Sequence, residues 1–202
     1  MTHRNCLAGN PFPAYLQDVK TAIRFLRAQG EEYGIDTERV AVCGSSSGGN
    51  TALLVGFTGD EERYKTEEYK EYSDKVKAVV ECFGPTDLTE NKERLRTGEA
   101  FEYRECFEAL LGEPTPENWE RLREMEPVYH LQAKKTCPPV LMLHGDQDTV
   151  VDYQTQGKAF FYKLRDAGID ASLIRVEGAP HEGSFWSQEV YEAIRVFLDA
   201  RV

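Results

Sequence analysis

The sequence is short of the features that mark several large classes of protein. Its 202 residues contain no apolar run of the roughly 18 residues that a membrane span needs, and its start, MTHRNC, has no apolar signal-peptide core. Lys and Arg number 24 against 35 Asp and Glu, and the net charge of −11 disfavours nucleic acid or an anionic membrane as a partner. We therefore expect a cytoplasmic protein that binds neither nucleic acid nor a membrane.

Paired cysteines and linkers are also missing. The five cysteines are scattered and never have Cys-x-x-Cys spacing, which indicates neither a disulfide framework nor a zinc site. We expect no metal and no cofactor. Because no Pro-rich or Ser-rich linker divides the chain, residues 1–202 are predicted to form a single domain.

Helical and strand patterns alternate along the chain. Apolar residues at helical spacing predict one helix around 16–26, and further helices are predicted near 152–167 and 187–200. Short apolar, β-branched runs predict four strands: Arg39–Cys43, Val76–Phe83, Pro139–His144 and Ala171–Val176. This alternation predicts a three-layer α/β fold, in which helices cover both faces of a parallel sheet.

Two segments interrupt the alternation. Residues 60–75 are dominated by charged side chains and are predicted to be a solvated loop or an exposed helix. Residues from about 91 to 129 are amphipathic, helical in pattern and interrupted by proline. We interpret this second segment as a small helical cap insertion, which could serve as a lid.

A serine-rich turn is the first candidate for chemistry. Residues 44–48, GSSSG, fit the motif G-x-S-x-G with Ser46 at its centre, between a predicted strand and a predicted helix. Glycines 44 and 48 leave room for a strained turn, and the Ser47 N–H at the start of the helix can donate to an oxyanion. The absence of a P-loop lysine and of G-x-G-x-x-G disfavours phosphate binding, whereas an ordinary Gly/Ser turn remains an alternative.

A serine nucleophile needs a histidine as base, and that histidine needs a carboxylate to orient it. His181, in the loop after the last predicted strand, is the candidate base. Asp148, after the third strand, is the candidate acid, while Asp146 is predicted to stabilise the turn that contains it. Asp87, after the second strand, is the alternative acid, although an Asx turn would also explain it.

The order Ser46, Asp148, His181, with each residue after a separate strand, is that of the α/β-hydrolases. The chain resembles the esterase/lipase branch of that superfamily, and in particular the small bacterial esterases grouped with BD-type feruloyl esterases and acetylxylan esterases. The matching motifs are PFP at 11–13, YGID at 33–36, FGPTDL at 83–88, HGDQD at 144–148 and EGAPH at 177–181. The resemblance implies a serine carboxylic-ester hydrolase for short-chain acyl esters, with Ser46 as nucleophile, Asp148 as orienting acid and His181 as base.

The chain departs from that family at its front. Such esterases have several strands and a His-Gly-Gly turn before the Pro-Phe-Pro segment, and that turn donates the second oxyanion N–H. Neither precedes residues 11–13 here. We therefore expect an N-terminally truncated α/β-hydrolase fold with an open edge at the strand before Ser46 and impaired activity. This edge is expected to lead to a homo-oligomer or to aggregation.

Two alternative functions share these features. A prolyl-oligopeptidase-like serine peptidase has the same order of triad residues, but the chain has no propeller domain and no Tyr beside Ser46. A catalytically silent hydrolase-like module that assembles through its open edge is the non-enzymatic alternative. A dienelactone hydrolase is disfavoured because the centre of the turn is serine. Four aromatic residues are either pocket or core, and core is the commoner role: Phe83, Trp119, Phe185 and Trp186.

Overall fold

The structure is a computed structural model that describes residues 2–131 and 137–202. Its sheet is parallel and four-stranded. Its strands lie side by side in chain order: β1 (Val42–Ser45), β2 (Val79–Cys82), β3 (Val140–Gly145) and β4 (Ala171–Val176). The predicted parallel sheet is thus confirmed, and β4 has the predicted bounds.

The helices alternate with the strands except in the inserted segment, where four follow one another. They are α1 (Ala14–Gln29), α2 (Ser47–Phe57), α3 (Thr89–Thr97), α4 (Arg104–Leu111), α5 (Pro116–Arg123), α6 (Pro127–Leu131), α7 (Ala159–Asp166) and α8 (Gln188–Arg201). The helix predicted near 152–167 is confirmed, but its first part, Tyr153–Lys158, is a π-helix that leads into α7.

Alternate strand residues face opposite layers of helices. Val79 and Met142 pack in an apolar cluster with side chains of α2 and α7. Val80 and Leu143, their neighbours along the strands, pack in a second cluster with side chains of α8. Strands buried on both faces are typical of parallel sheets between helical layers, so the predicted three-layer architecture is confirmed.

The insertion joins the body of the domain. Leu95 of α3, Leu111 of α4 and Leu122 of α5 are buried in a third cluster that also contains Leu16 of α1. Trp119 packs against this same cluster, so it is core rather than pocket. The predicted helical character of residues 91–129 is therefore confirmed, and their closing as a lid stays a prediction.

Strands β1 and β2 begin later than the sequence pattern predicts. β1 starts at Val42 rather than Arg39, and β2 starts at Val79 rather than Val76. The reason is register: the ladder begins where Val42 lies opposite Val79. Before that point the two segments are still joined by backbone hydrogen bonds, from the Lys77 N–H to Val40 O at 2.7 Å and from the Val42 N–H to Ala78 O at 3.1 Å, but they are not paired residue by residue as strands.

The prediction of a solvated segment at residues 60–75 is wrong for two of its members. Tyr64 and Asp74 are buried. Asp74 accepts hydrogen bonds from Lys20 Nζ at 2.7 Å and from Arg24 Nη1 at 3.0 Å, and none of these three side chains has exposed surface. The Asp74 carboxylate of this charged segment can be buried because it forms ion pairs with two cationic side chains of α1.

Strand β1 lies at the edge of the sheet. Within residues 2–131 and 137–202 it pairs with β2 alone, so its outer N–H and C=O groups have no strand partner there. The open edge predicted next to Ser46 is therefore present among these residues, and the homo-oligomer expected from it stays a prediction. In the same part of the chain, no helix has the length and apolarity to cross a membrane.

Candidate active site

Ser46 occupies a strained turn between β1 and α2. Its φ of 52° and ψ of −124° are rare for a residue other than glycine. Two hydrogen bonds hold this backbone: the Ser46 N–H donates to Cys82 O at 2.9 Å, and the Ser46 carbonyl accepts from the Asn50 N–H at 3.1 Å. A Cβ at position 44 would lie 2.1 Å from the carbonyl oxygen of Gly48, so the turn requires Gly44.

His181 bridges Ser46 and Asp148. Its Nε2 lies 3.0 Å from Ser46 Oγ, and its Nδ1 lies 2.7 Å from Asp148 Oδ2. The loop that carries His181 packs against the end of β3, where a Cβ at Gly145 would lie 2.2 Å from the carbonyl oxygen of Ala179. The structure thus brings together the three side chains selected from the sequence. Along the chain, His181 is 33 residues from Asp148 and 135 residues from Ser46.

Asp148 is held by both of its oxygens. Oδ1 accepts from the backbone N–H groups of Val150 and Val151, each at 2.8 Å, which leaves Oδ2 for His181. Behind it, His144 Nε2 donates to the Val151 carbonyl at 2.8 Å and lies 3.4 Å from Asp148 Oδ2. Burial lowers the pKa of His144, which favours the neutral form of this ring beside Asp148.

Asp146, the predicted turn residue, and Asp87, the alternative acid, have other contacts. Asp146 accepts from the Gly178 N–H at 2.8 Å, which ties the turn after β3 to the loop after β4. Asp87 accepts from the Thr89 N–H at 3.0 Å, an Asx-turn contact at the start of α3. The carboxylate that contacts the imidazole of His181 is that of Asp148.

Aromatic rings back the imidazole. The Phe83 ring centroid lies 4.7 Å from that of His181, and Phe185 and Trp186 lie 4.5 and 5.8 Å from Phe83, all in edge-to-face geometry. Phe83 and Phe185 have no exposed surface, so they support His181 from the core. Ser47 is the first residue of α2, which places its N–H at the positive end of the helix dipole beside Ser46.

Comparison with known proteins supplies the family. Residues 2–164 match the model of the protein family BD-FAE. The chain belongs to this family. Esterase LipC of Mycobacterium tuberculosis is 28% identical to this chain over 172 residues. These residues cover 84% of this chain but 41% of LipC. This chain therefore spans less than half the length of that relative.

Two solved structures resemble this chain along most of its length. A truncated form of a carbohydrate esterase from gut microbiota has a TM-score of 0.82 and 26% identity, and the match covers 99% of this chain and 72% of that one. The butyrate-bound esterase Est2 of Thermogutta terrifontis has a TM-score of 0.69 and 25% identity, with 95% and 66% coverage.

Sequence patterns missed a buried carboxyl group beneath the turn of Ser46. Glu81, in the middle of β2, has no exposed surface. Its Oε1 accepts from the Gly84 N–H and lies 3.1 Å from where a Cβ at Gly49 would stand, whereas its Oε2 has no hydrogen-bond partner. Glu81 thus lies between the start of α2 and the turn that carries Phe83. An acidic residue in an apolar strand is the only sign of it in the sequence.

Glu81 predicts a stability that falls as the pH rises from weakly acidic to weakly alkaline values. Burial raises its pKa from 4.5 to about 8, so between these values the folded chain keeps a proton that the unfolded chain releases. Stability therefore falls as pH rises from about 4.5 to about 8. Glu81→Gln retains an oxygen for the Gly84 N–H and removes the titration, so its urea-unfolding free energy is expected to lose less between pH 6 and pH 9.

Glu117→Gln is the matched control for this titration, because the Glu117 side chain is 83% exposed. It should follow the pH dependence of the unsubstituted chain. Equal pH slopes for Glu81→Gln and the unsubstituted chain would show that Glu81 is ionised in the folded protein already at pH 6.

No metal cluster accompanies these residues. Within residues 2–131 and 137–202, no group of three or more His, Cys, Asp and Glu side chains is arranged to hold a metal ion.

Proposed function

We propose that the chain is a serine carboxylic-ester hydrolase that acts through an acyl-enzyme. Ser46 is the nucleophile, His181 the general base and Asp148 the acid that orients the imidazole. The observation that carries the proposal is the position of His181, with one ring nitrogen 3.0 Å from Ser46 Oγ and the other 2.7 Å from Asp148 Oδ2. The esterase names of the relatives support ester as the substrate class.

The reaction has two halves that use the same base. In the first, His181 Nε2 takes the proton of Ser46 as Oγ attacks the ester carbonyl, and Asp148 Oδ2 stabilises the imidazolium through Nδ1–H. The Ser47 N–H donates to the oxyanion. His181 then protonates the leaving alcohol. In the second half, His181 activates a water that attacks the acyl-enzyme and releases the acid and free Ser46.

Short acyl groups are the proposed substrates. The buried rings of Phe83 and Phe185 fill the space behind His181, and the inserted helices pack against α1. Space that is occupied by this packing is not open to a long acyl chain, which supports short acyl groups as substrates. The bound butyrate of Est2 supports the same choice. The cytoplasmic location stays a prediction.

The substrate test compares p-nitrophenyl acetate, butyrate and palmitate, with Ser46→Ala as the background. We expect kcat/KM for acetate or butyrate to exceed that for palmitate by roughly 100-fold, because a pocket that cannot enclose the chain loses its apolar binding energy. Mass spectrometry after a fluorophosphonate probe should place the adduct on Ser46. Preference for palmitate would overturn the short-chain proposal, and hydrolysis that does not need Ser46 would overturn the proposed mechanism.

A further inference from the structure

The residue after His181 has an unusual backbone. Glu182 has a φ of 66° and a ψ of −163°, a conformation that is essentially confined to glycine. Its side chain is exposed, so no core packing explains the choice of glutamate. Strained residues of this kind persist where the surrounding structure holds them, and they cluster at functional sites.

Two hydrogen bonds hold the Glu182 carboxylate. Trp186 Nε1 donates to Oε2 at 2.8 Å, and the Ser45 hydroxyl lies 3.4 Å from Oε1. Ser45 directly precedes Ser46 in the chain and Glu182 directly follows His181, so this contact joins the residue before the nucleophile to the residue after the base. Both partners are neutral, so neither of them offsets the negative charge.

The Trp186 ring fixes this carboxylate further. It stacks on Tyr191, with ring centroids 5.6 Å apart and an interplanar angle of 22°, and it packs edge-to-face on Phe83. Phe83 in turn contacts the His181 ring. A charge held in place against apolar rings is screened less by water and salt than the charge of a freely moving surface glutamate.

We infer that Glu182 makes the site select esters with neutral acyl and alcohol parts and reject those that carry a carboxylate near the scissile bond. The inference deepens the proposed function and rests on it. An anionic substrate brings a second negative charge toward a carboxylate that hydrogen bonds from Trp186 and Ser45 hold in place. Such like-charge proximity raises the energy of the bound state and of the transition state for that substrate alone.

The test is a ratio of two substrates. p-Nitrophenyl pentanoate and mono-p-nitrophenyl glutarate have acyl chains of the same length, and only the glutarate ends in a carboxylate. Both react through the same imidazolium and oxyanion, so the ratio of their kcat/KM values isolates the charge of the substrate. In 20 mM salt, Glu182→Gln is expected to lower the pentanoate-to-glutarate ratio about 3- to 10-fold. Sodium chloride at 0.5 M should reduce the ratio of the unsubstituted chain toward that of the variant.

Glu177→Gln is the matched control, because it removes the same charge from an exposed position in the same loop. Its ratio should change by less than about twofold. Glu182→Gly is the second variant: it suits the strained backbone, removes the carboxylate and should also lose the discrimination. An unchanged ratio in both Glu182 variants would overturn the inference and leave the proposed function intact. Absence of Ser46-dependent pentanoate hydrolysis in the unsubstituted chain would overturn both.

Discussion

Replacing Ser46 by alanine is expected to lower kcat/KM for p-nitrophenyl acetate by roughly 10⁴- to 10⁶-fold. The residual activity would not involve covalent catalysis. The reason is that His181 has no other hydroxyl to activate at the 3.0 Å position that Ser46 Oγ occupies. His181→Ala should have a similar effect, and the double variant should lose no more than either single one, since the two residues act as a unit.

Asp148→Asn should cost about 10⁴-fold in kcat, because an amide nitrogen facing Nδ1 selects the wrong imidazole tautomer. Ser45→Ala is the control for the turn itself: Ser45 is the chain neighbour of Ser46, but its hydroxyl contacts Glu182 rather than His181. Each variant is checked by its urea-unfolding curve. If Ser46→Ala keeps its activity while Ser45→Ala loses it, the nucleophile has been assigned to the wrong serine.

Removing the Asp74 carboxylate is expected to lower the free energy of unfolding by about 3–5 kcal/mol. Asp74 Oδ1 accepts from Lys20 Nζ at 2.7 Å and from the Asp60 N–H at 2.8 Å, and its Oδ2 accepts from Arg24 Nη1 at 3.0 Å. In Asp74→Ala, two cations without exposed side-chain surface would lose their shared counter-ion. Leaving a buried charge uncompensated is among the most destabilising single changes.

Urea unfolding at pH 7 measures this loss. Glu71→Ala removes an exposed carboxylate from the same segment and should stay within about 0.5 kcal/mol of the unsubstituted chain. Asp74→Asn retains the shape of the side chain and should still be strongly destabilised, because the missing charge is the cause. Equal stability of Asp74→Ala and Glu71→Ala would mean that water reaches Lys20 and Arg24 once the carboxylate is gone.

The sequence by itself was enough for the parallel sheet and for the choice of Ser46, Asp148 and His181. The strand runs and the glycine-flanked serine are local patterns, and the ends of parallel strands meet at one edge of a sheet. Residues chosen after three strand ends could therefore be expected to lie near one another. The roles of these residues in catalysis stay proposals for the variants above to test.

The tertiary structure alone decided the surroundings of those residues. The charge of segment 60–75 indicates solvent exposure, yet Asp74 is buried because α1 brings Lys20 and Arg24 to it. Similarly, Glu81 is buried because β2 lies between two strands, and the Glu182 carboxylate is held because Trp186 and Ser45 donate hydrogen bonds to it. Apart from Trp186, which lies four residues after Glu182, these partners come from distant parts of the chain, so no local pattern contains them. Local residue order determines which elements form, whereas the burial and charge of a side chain depend on which elements meet it.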